Sequence, residues 1–384
     1  MRTRTAAGLA ATSVLGAGAV AVAASRYAAD AALRPARPRP GRAPLPAGFD
    51  GPALTVHAAT EDTVTLTRSL SAGLPGRYGL VGRGCHAVAG PVLEEESAAS
   101  GPDTVVRELR RVLRGELTPG TKVRITPQIY AGDPGTALGL PVSEVRVPGE
   151  LGPLPAWFVP GDRDTWVLTA HGLGATREAP LALVPFLHAQ RFPVLNLAYR
   201  GDPGAPRPPE NAAHLGGTEW RDLDSAIHYA LRSGAERVIL YGWSSGATMA
   251  LHAAVYSALR GRISGLVLDS PVLDLPVTLR ALAAERHVPR RLLPLAVRAA
   301  LGRVAGHAER VAAVADPALL NVPLLLVHGP DDTIAPWGPS RTYAAARPEL
   351  VSLHTVDRAP HAAMWNAGPG PYEETLRRFL TPLM

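Results

Sequence analysis

Arg237-Val238-Ile239-Leu240-Tyr241-Gly242-Trp243-Ser244-Ser245-Gly246-Ala247-Thr248-Met249-Ala250-Leu251 is the stretch on which the reading of this chain turns. The β-branched and aliphatic run before Gly242 predicts a buried strand, the residues after Gly246 predict a helix, and a G-x-S-x-G pentapeptide joins the two. In that setting the pentapeptide is a nucleophile elbow. Its flanking glycines leave room for the backbone to carry Ser244 at strained dihedrals, with the hydroxyl held above a sheet. The helix N-terminus behind the serine offers a backbone N–H and a positive dipole end to a developing oxyanion. Without the strand and the helix it would carry little weight in a chain of 38 glycines.

Working outward, Thr165 to Ala170 reads as a buried strand running into His171-Gly172-Leu173-Gly174. A His-Gly turn of this kind opens an oxyanion loop, in which the N–H of Leu173 pairs with that of Ser245. The His171 side chain is expected to hydrogen-bond the loop and to leave substrate untouched. Asn321 to His328 is another buried strand, followed by Gly329-Pro330-Asp331-Asp332. A carboxylate just past such a strand can orient an imidazole, and Asp332 is the candidate, with Asp331 read as a solvated turn residue. Asp269, after the preceding strand Ser264 to Asp269, is the alternative. A third strand, Leu350 to Val356, leads to His361 in the loop beyond it, whereas His354 lies within the strand as a packed or edge residue. The other histidines lack metal-ligand spacing, so no metal and no cofactor is expected.

Ser244, Asp332 and His361 follow one another in the order of the α/β-hydrolases, which differs from the chymotrypsin and subtilisin orders. On these residues the chain from about 145 to 384 resembles the α/β-hydrolase superfamily. The stretches His171 to Glu178, Gly217 to Asp222, Leu268 to Pro271 and His361 to Asn366 are similar to actinobacterial exported or membrane-associated hydrolases loosely related to serine aminopeptidases and prolyl-oligopeptidase-like enzymes. The resemblance implies a mostly parallel sheet with helices on both faces. It also implies acyl transfer through Ser244, His361 and Asp332. No acidic motif for binding a peptide amine accompanies it.

The strand–helix alternation from Val142 onward agrees with such a sheet. Val145 to Val147 and Ala156 to Val159 read as an opening hairpin, Phe192 to Tyr199 as a sheet strand and Gly217 to Arg232 as an amphipathic helix. An excursion from about 273 to 317, with helical spacing at Leu292 to Leu301 and Ala308 to Val314, stands where a cap is inserted. Arg200 is expected in a structural ion pair. Residues 50–144 read as a small α+β or β-rich region, with short alternating runs at Asp62 to Leu66 and Gly79 to Gly82 and a helical stretch at Val105 to Leu113.

Upstream, Ala6 to Ala24 is uncharged and follows Arg2 and Arg4, as in a signal peptide or membrane anchor. Its five large aliphatics contribute only roughly −0.3 to −0.6 kcal/mol each to insertion, so spanning is marginal, and Ala21-Val22-Ala23 offers a cleavage site. Residues 26–49 read as an extended Pro/Arg-rich linker. The expected location is the cell membrane or the extracellular side. With 384 residues, 46% of them hydrophobic, the chain can bury one large core and a smaller one. Its net charge of +6 comes from dispersed arginines, Lys122 being the single lysine, and aromatics make up 5%. Nucleic-acid binding needs a clustered basic stripe with stacking aromatics and is excluded on that ground. The function expected from sequence is therefore a serine hydrolase acting on a small-molecule carboxylic ester, then on a peptide. The competing reading is a tethered α/β-hydrolase-like module without catalysis.

Overall fold

Alternation in residues 54–126 builds the first unit. A computed structural model describes residue 33 and residues 45–384, except 210, 211 and 304. In it six strands close into an antiparallel barrel: β1 (Leu54–Ala59), β2 (Thr63–Thr67), β3 (Tyr78–Gly82), β4 (His86–Val92), β5 (Thr104–Arg114) and β6 (Lys122–Thr126), in the order β1-β2-β5-β4-β3-β6. Every second side chain points inward, so Leu54, Val56, Val64, Leu66, Leu80 and Ile125 fill one core. Closure pairs Leu54 with Val123 and removes the unpaired edges that an open sheet would leave.

Two expectations for this part of the chain are corrected. Val105 to Leu113 is not helical but the long strand β5. The spacing of Val105, Leu109 and Leu113 imitates a helix, yet β5 pairs with both β2 and β4 and shifts register against β4. Those shifts interrupt a strict two-residue alternation. The inward position between Val105 and Leu109 is Arg107, fully buried. Its guanidinium makes five hydrogen bonds to the carbonyls of Ala72, Leu74, Gly76 and, twice, Gly90, which spends every donor it has. Burial lowers its pKa to about 10. The second correction is at the end of the expected linker, where Ala47 and Phe49 are buried in the folded body. The Ala6 to Ala24 segment lies outside the described residues, among which no helix is long and apolar enough to cross a membrane.

The second unit is an eight-stranded sheet of β7 (Ser143–Gly149), β8 (Gly152–Val159), β9 (Thr165–Ala170), β10 (Val194–Leu197), β11 (Arg237–Trp243), β12 (Ile263–Asp269), β13 (Leu324–His328) and β14 (Val351–Thr355). Its order is β7-β8-β10-β9-β11-β12-β13-β14. The β7–β8 hairpin is antiparallel and β8 runs antiparallel to β10, after which every pair is parallel. Parallel strands need crossovers, and the crossover helices bury both faces, which is why the central strands are continuously apolar. Along β11, Val238 and Leu240 enter one core with Leu223 and Ile227 of the helix Trp220–Arg232. Ile239, Tyr241 and Trp243 enter the other with Leu376 and Leu380 of the helix Pro369–Leu380.

The excursion between β12 and β13 folds as three helices, Leu275–Glu285, Leu293–Arg303 and Ala305–Val314. Leu275, Leu279 and Leu282 pack with Leu173, Leu215 and Ile334 above the carboxyl ends of the strands, together with Leu33 and Ala47. This is a cap over the place where the loops carrying the candidate residues converge.

Candidate active site

The elbow forms as its residues demand. Ser244 follows β11 directly with φ 52° and ψ −117°, dihedrals that crowd any Cβ, and the helix Ser245–Tyr256 begins at the next residue. The turn is possible because its neighbours have no side chain. A Cβ on Gly246 would lie 2.0 Å from the Ala170 carbonyl oxygen. A Cβ on Gly172 would lie 2.8 Å from that of Ser244, so the His-Gly turn can press against the serine only as glycine.

Three loops bring the remaining groups to Ser244. Its Oγ–H donates to His361 Nε2 at 2.7 Å, and His361 Nδ1–H donates to Asp332 Oδ2 at 2.7 Å. All three side chains are buried. Asp332 Oδ1 accepts the amides of Ile334 (2.8 Å) and Ala335 (2.9 Å), while Oδ2 also accepts His328 Nε2–H at 3.0 Å. Burial would raise this carboxyl's pKa, but the His361 charge and the imidazole hydrogen bonds outweigh it and hold the group ionised, well below the usual range. Burial acts on His361 in the opposite sense and would lower its pKa; Asp332 outweighs it, leaving a net rise. An ionised acceptor at Nδ1 fixes that nitrogen as the protonated one, so the Nε2 lone pair faces the serine hydroxyl.

The other candidates separate cleanly. Asp331 is exposed and accepts the Arg358 amide at 2.7 Å, away from the imidazole. Asp269 is buried and accepts Ser270 Oγ–H at 2.9 Å and the Tyr372 hydroxyl at 3.2 Å; burial pushes its pKa up to about 7. His171 is buried, bonded to Asp202 at 2.7 Å and stacked on Tyr199 at 4.4 Å, and so serves the loop. Arg200 is locked to Asp222 at 2.7 Å and to Glu150 at 3.0 Å. His354 lies on the edge strand β14 and is half-buried. Among the described residues, the amides of Leu173 and Ser245 donate to no protein acceptor; Leu173 lines the cavity beside Ser244, whereas Ser245 lines a neighbouring one with His171, Tyr199 and Asp202.

A cavity of about 570 Å³, its mouth included, opens beside Ser244. Trp243, Leu183, Ala182, Trp365, Pro46 and Ala47 make its wall apolar. The barrel reaches this wall through Asn366, whose Nδ2 donates to the carbonyls of Arg77 (2.8 Å) and Pro127 (2.9 Å) while its own carbonyl accepts the Arg77 amide. Arg107, by holding the 72–76 loop, therefore braces the segment that carries His361. Among the described residues no cluster of three or more His, Cys, Asp or Glu side chains could hold a metal ion.

Residues 55–126, the span of the barrel, match the family model described as "Domain of unknown function (DUF8805)". Over 261 residues the chain is 25% identical to the uncharacterized protein YfhR of Escherichia coli O157:H7, which covers 66% of this chain and 84% of that one. Among solved structures, the esterase Pf2001 of Pyrococcus furiosus superposes in two crystal forms with TM-scores of 0.52 and 0.53, at 19% and 20% identity. The superpositions cover 66% and 67% of this chain and 95% and 98% of that one. The unit from Ser143 onward has the α/β-hydrolase fold. Its mixed, mostly parallel sheet is consistent with that architecture.

Two neighbours of the candidate residues escaped the sequence reading. His328 ends β13 and shares Asp332 with His361, its Nδ1 accepting Ser340 Oγ–H at 2.8 Å. The signal for it was present, since His328 and Asp332 stand four residues apart around a Gly-Pro turn that folds back on itself. The segment Leu45 to Asp50 crosses the cleft, and nothing local in its sequence announces that.

Proposed function

We propose that this protein is a serine hydrolase that cleaves a carboxylic ester of a small molecule through an acyl-enzyme. The observation that carries the reading is the buried hydrogen-bonded line Asp332–His361–Ser244, which ends at a strained serine facing an apolar cavity. Ser244 Oγ attacks the ester carbonyl as His361 Nε2 takes its proton. The tetrahedral oxyanion is held by the N–H groups of Leu173 and Ser245. Collapse expels the alcohol, which receives the proton from His361, and leaves the acyl group on Ser244. Water, deprotonated by the same imidazole, then releases the acid. Asp332 stays ionised throughout, fixing the tautomer and stabilising the imidazolium.

The apolar wall favours an acyl group over a peptide, whose free amine would need a carboxylate in the open part of the cleft. The name esterase borne by the Pyrococcus furiosus neighbour accords with this preference. The test is labelling by a fluorophosphonate together with hydrolysis of p-nitrophenyl butyrate. Wild type should do both, and Ser244→Ala should lose the label and on the order of 10³-fold or more in kcat. Retained labelling of Ser244→Ala would overturn the assignment, and a folded wild type inert to both reagents would leave the non-catalytic module.

A further inference from the structure

Leu45 to Asp50 runs as a strap between the cap and the barrel, directly over the candidate histidine. The Ala47 amide donates to the Leu173 carbonyl at 3.2 Å, which ties the strap to the oxyanion loop. Gly48, at φ +90°, lies against His361, where an added Cβ would come within 3.1 Å of the imidazole's Cβ. The amides of Gly48 (2.7 Å) and Asp50 (3.2 Å) both donate to Glu285 Oε1, at the end of the cap helix Leu275–Glu285. A carboxylate at a helix C-terminus opposes the helix dipole, and this one is half-buried, its pKa raised by desolvation. Its two amide partners are the compensation, so the contact exists to hold the strap.

The strap also divides space. Pro46 and Ala47 line the cavity beside Ser244, whereas Gly48 and Phe49 line a second, open groove of about 1300 Å³, solvent at its mouth included, where Leu74 and Ile125 stand beside Arg124 and Arg358. The loop bearing His361 completes the partition, with Ala359 and Pro360 on one side and His361 and Ala362 on the other. That loop is pinned, since Ser270 Oγ accepts the Ala362 amide at 3.0 Å and Asp331 accepts the Arg358 amide. The other part of the wall is the strap, held by the Ala47–Leu173 hydrogen bond, by Glu285 and by the Arg286–Asp50 ion pair at 3.7 Å. Phe49 anchors it in the barrel core, and Gly48 is the residue beside that anchor with a left-handed backbone.

We propose that the strap Leu45 to Asp50, positioned by Glu285, sets the acyl specificity of this site by restricting it to short acyl groups. Released from Glu285, it opens the way from Ser244 into the larger cavity and admits long chains. This rests on the ester-hydrolase reading above. The experiment compares kcat/KM for p-nitrophenyl butyrate and dodecanoate, with hydrogen exchange of the 46–50 amides measured in parallel, in wild type, Glu285→Ala and Glu285→Gln. Wild type should prefer butyrate. Glu285→Ala should speed exchange across the strap and raise the dodecanoate-to-butyrate ratio about tenfold or more, with butyrate turnover held within about threefold. Glu285→Gln keeps an amide-accepting oxygen and should stay near wild type in both measurements, whereas mere loss of stability would depress both esters alike. Faster exchange with an unchanged ratio, unchanged exchange in Glu285→Ala, or a wild type that prefers dodecanoate would each overturn the proposal while leaving the hydrolase reading intact. A wild type that cleaves neither ester would overturn both.

Discussion

The strain at the elbow can be measured by comparing two dead variants. Ser244→Ala and Ser244→Gly both remove Oγ and its hydrogen bond to His361, so that loss cancels between them. What remains is the backbone, held at φ 52° and ψ −117°. A side-chain-bearing residue at such dihedrals costs on the order of 1–3 kcal/mol. Glycine adopts them freely but loses more chain entropy on folding, about 0.5–1 kcal/mol relative to alanine. The difference favours Ser244→Gly by roughly 1 kcal/mol at the middle of these ranges, and by about 0 to 2.5 kcal/mol across them. For a domain of this size each kcal/mol moves the midpoint by roughly 2–4 °C. Thermal unfolding followed by near-UV circular dichroism should therefore place Ser244→Gly a few degrees above Ser244→Ala, with neither variant hydrolysing ester. A glycine variant melting below the alanine variant would refute the reasoning. The dihedrals would then cost nothing, and the turn would be an ordinary one.

Asp332→Asn should cost up to about 10⁴-fold in kcat by favouring the wrong His361 tautomer, whereas Asp331→Asn should be mild; a dead Asp269→Asn beside an active Asp332→Asn would reverse the assignment. The pH profile has a defined sign: if neutral His361 is the base, as proposed, its raised pKa should make kcat/KM climb with pH through a midpoint above 6.5, and Asp332→Asn should move that midpoint downward. A wild-type midpoint below 6.5 would contradict the electrostatics. For location, a reporter active only after export, fused after Arg42, should score positive on the strength of Ala6 to Ala24, and a cytoplasmic signal with Met1 intact would show the opposite orientation.

What was legible in the sequence followed from local rules. The strands β9, β11, β12 and β13 read correctly because burial on both faces writes a nearly unbroken apolar run, the edge strand β14 because its apolar residues alternate with polar ones, and the elbow because its glycines are demanded by clashes with the next turn of backbone. β5 misled for the converse reason. A barrel strand with shifted register and an inward arginine has no clean two-residue period, and its isolated apolar spacing matches a helix. The strap was beyond reach, since Gly48 and Glu285 meet across 237 positions and neither carries a local signature of the other. His328 lies between these cases: the residue was visible, but a second imidazole on one carboxylate becomes meaningful only when both are seen to converge on Oδ2.

Asp269 and Asp332 differ in how well each could serve His361. Both follow strands of the same sheet, and by position alone either could serve His361. Asp269 pairs in register with Val327, one residue before β13 ends, so it sits lower in the sheet, where two hydroxyls are its partners. Asp332 lies beyond the turn that follows β13 and gathers four N–H donors, two from backbone and two from imidazoles. A partner for a histidine base must be ionised over the range in which the imidazole gains and loses its proton. With a pKa near 7, Asp269 would itself exchange a proton there. It would then leave His361 with either an acceptor or a competing donor, depending on pH. Asp332 has no such ambiguity, because its donors hold it as an acceptor across the whole range. Asp269 instead accepts from Ser270, whose oxygen in turn receives the Ala362 amide, so the second carboxylate bears on the histidine loop by hydrogen bonds through its backbone and on the imidazole by charge alone.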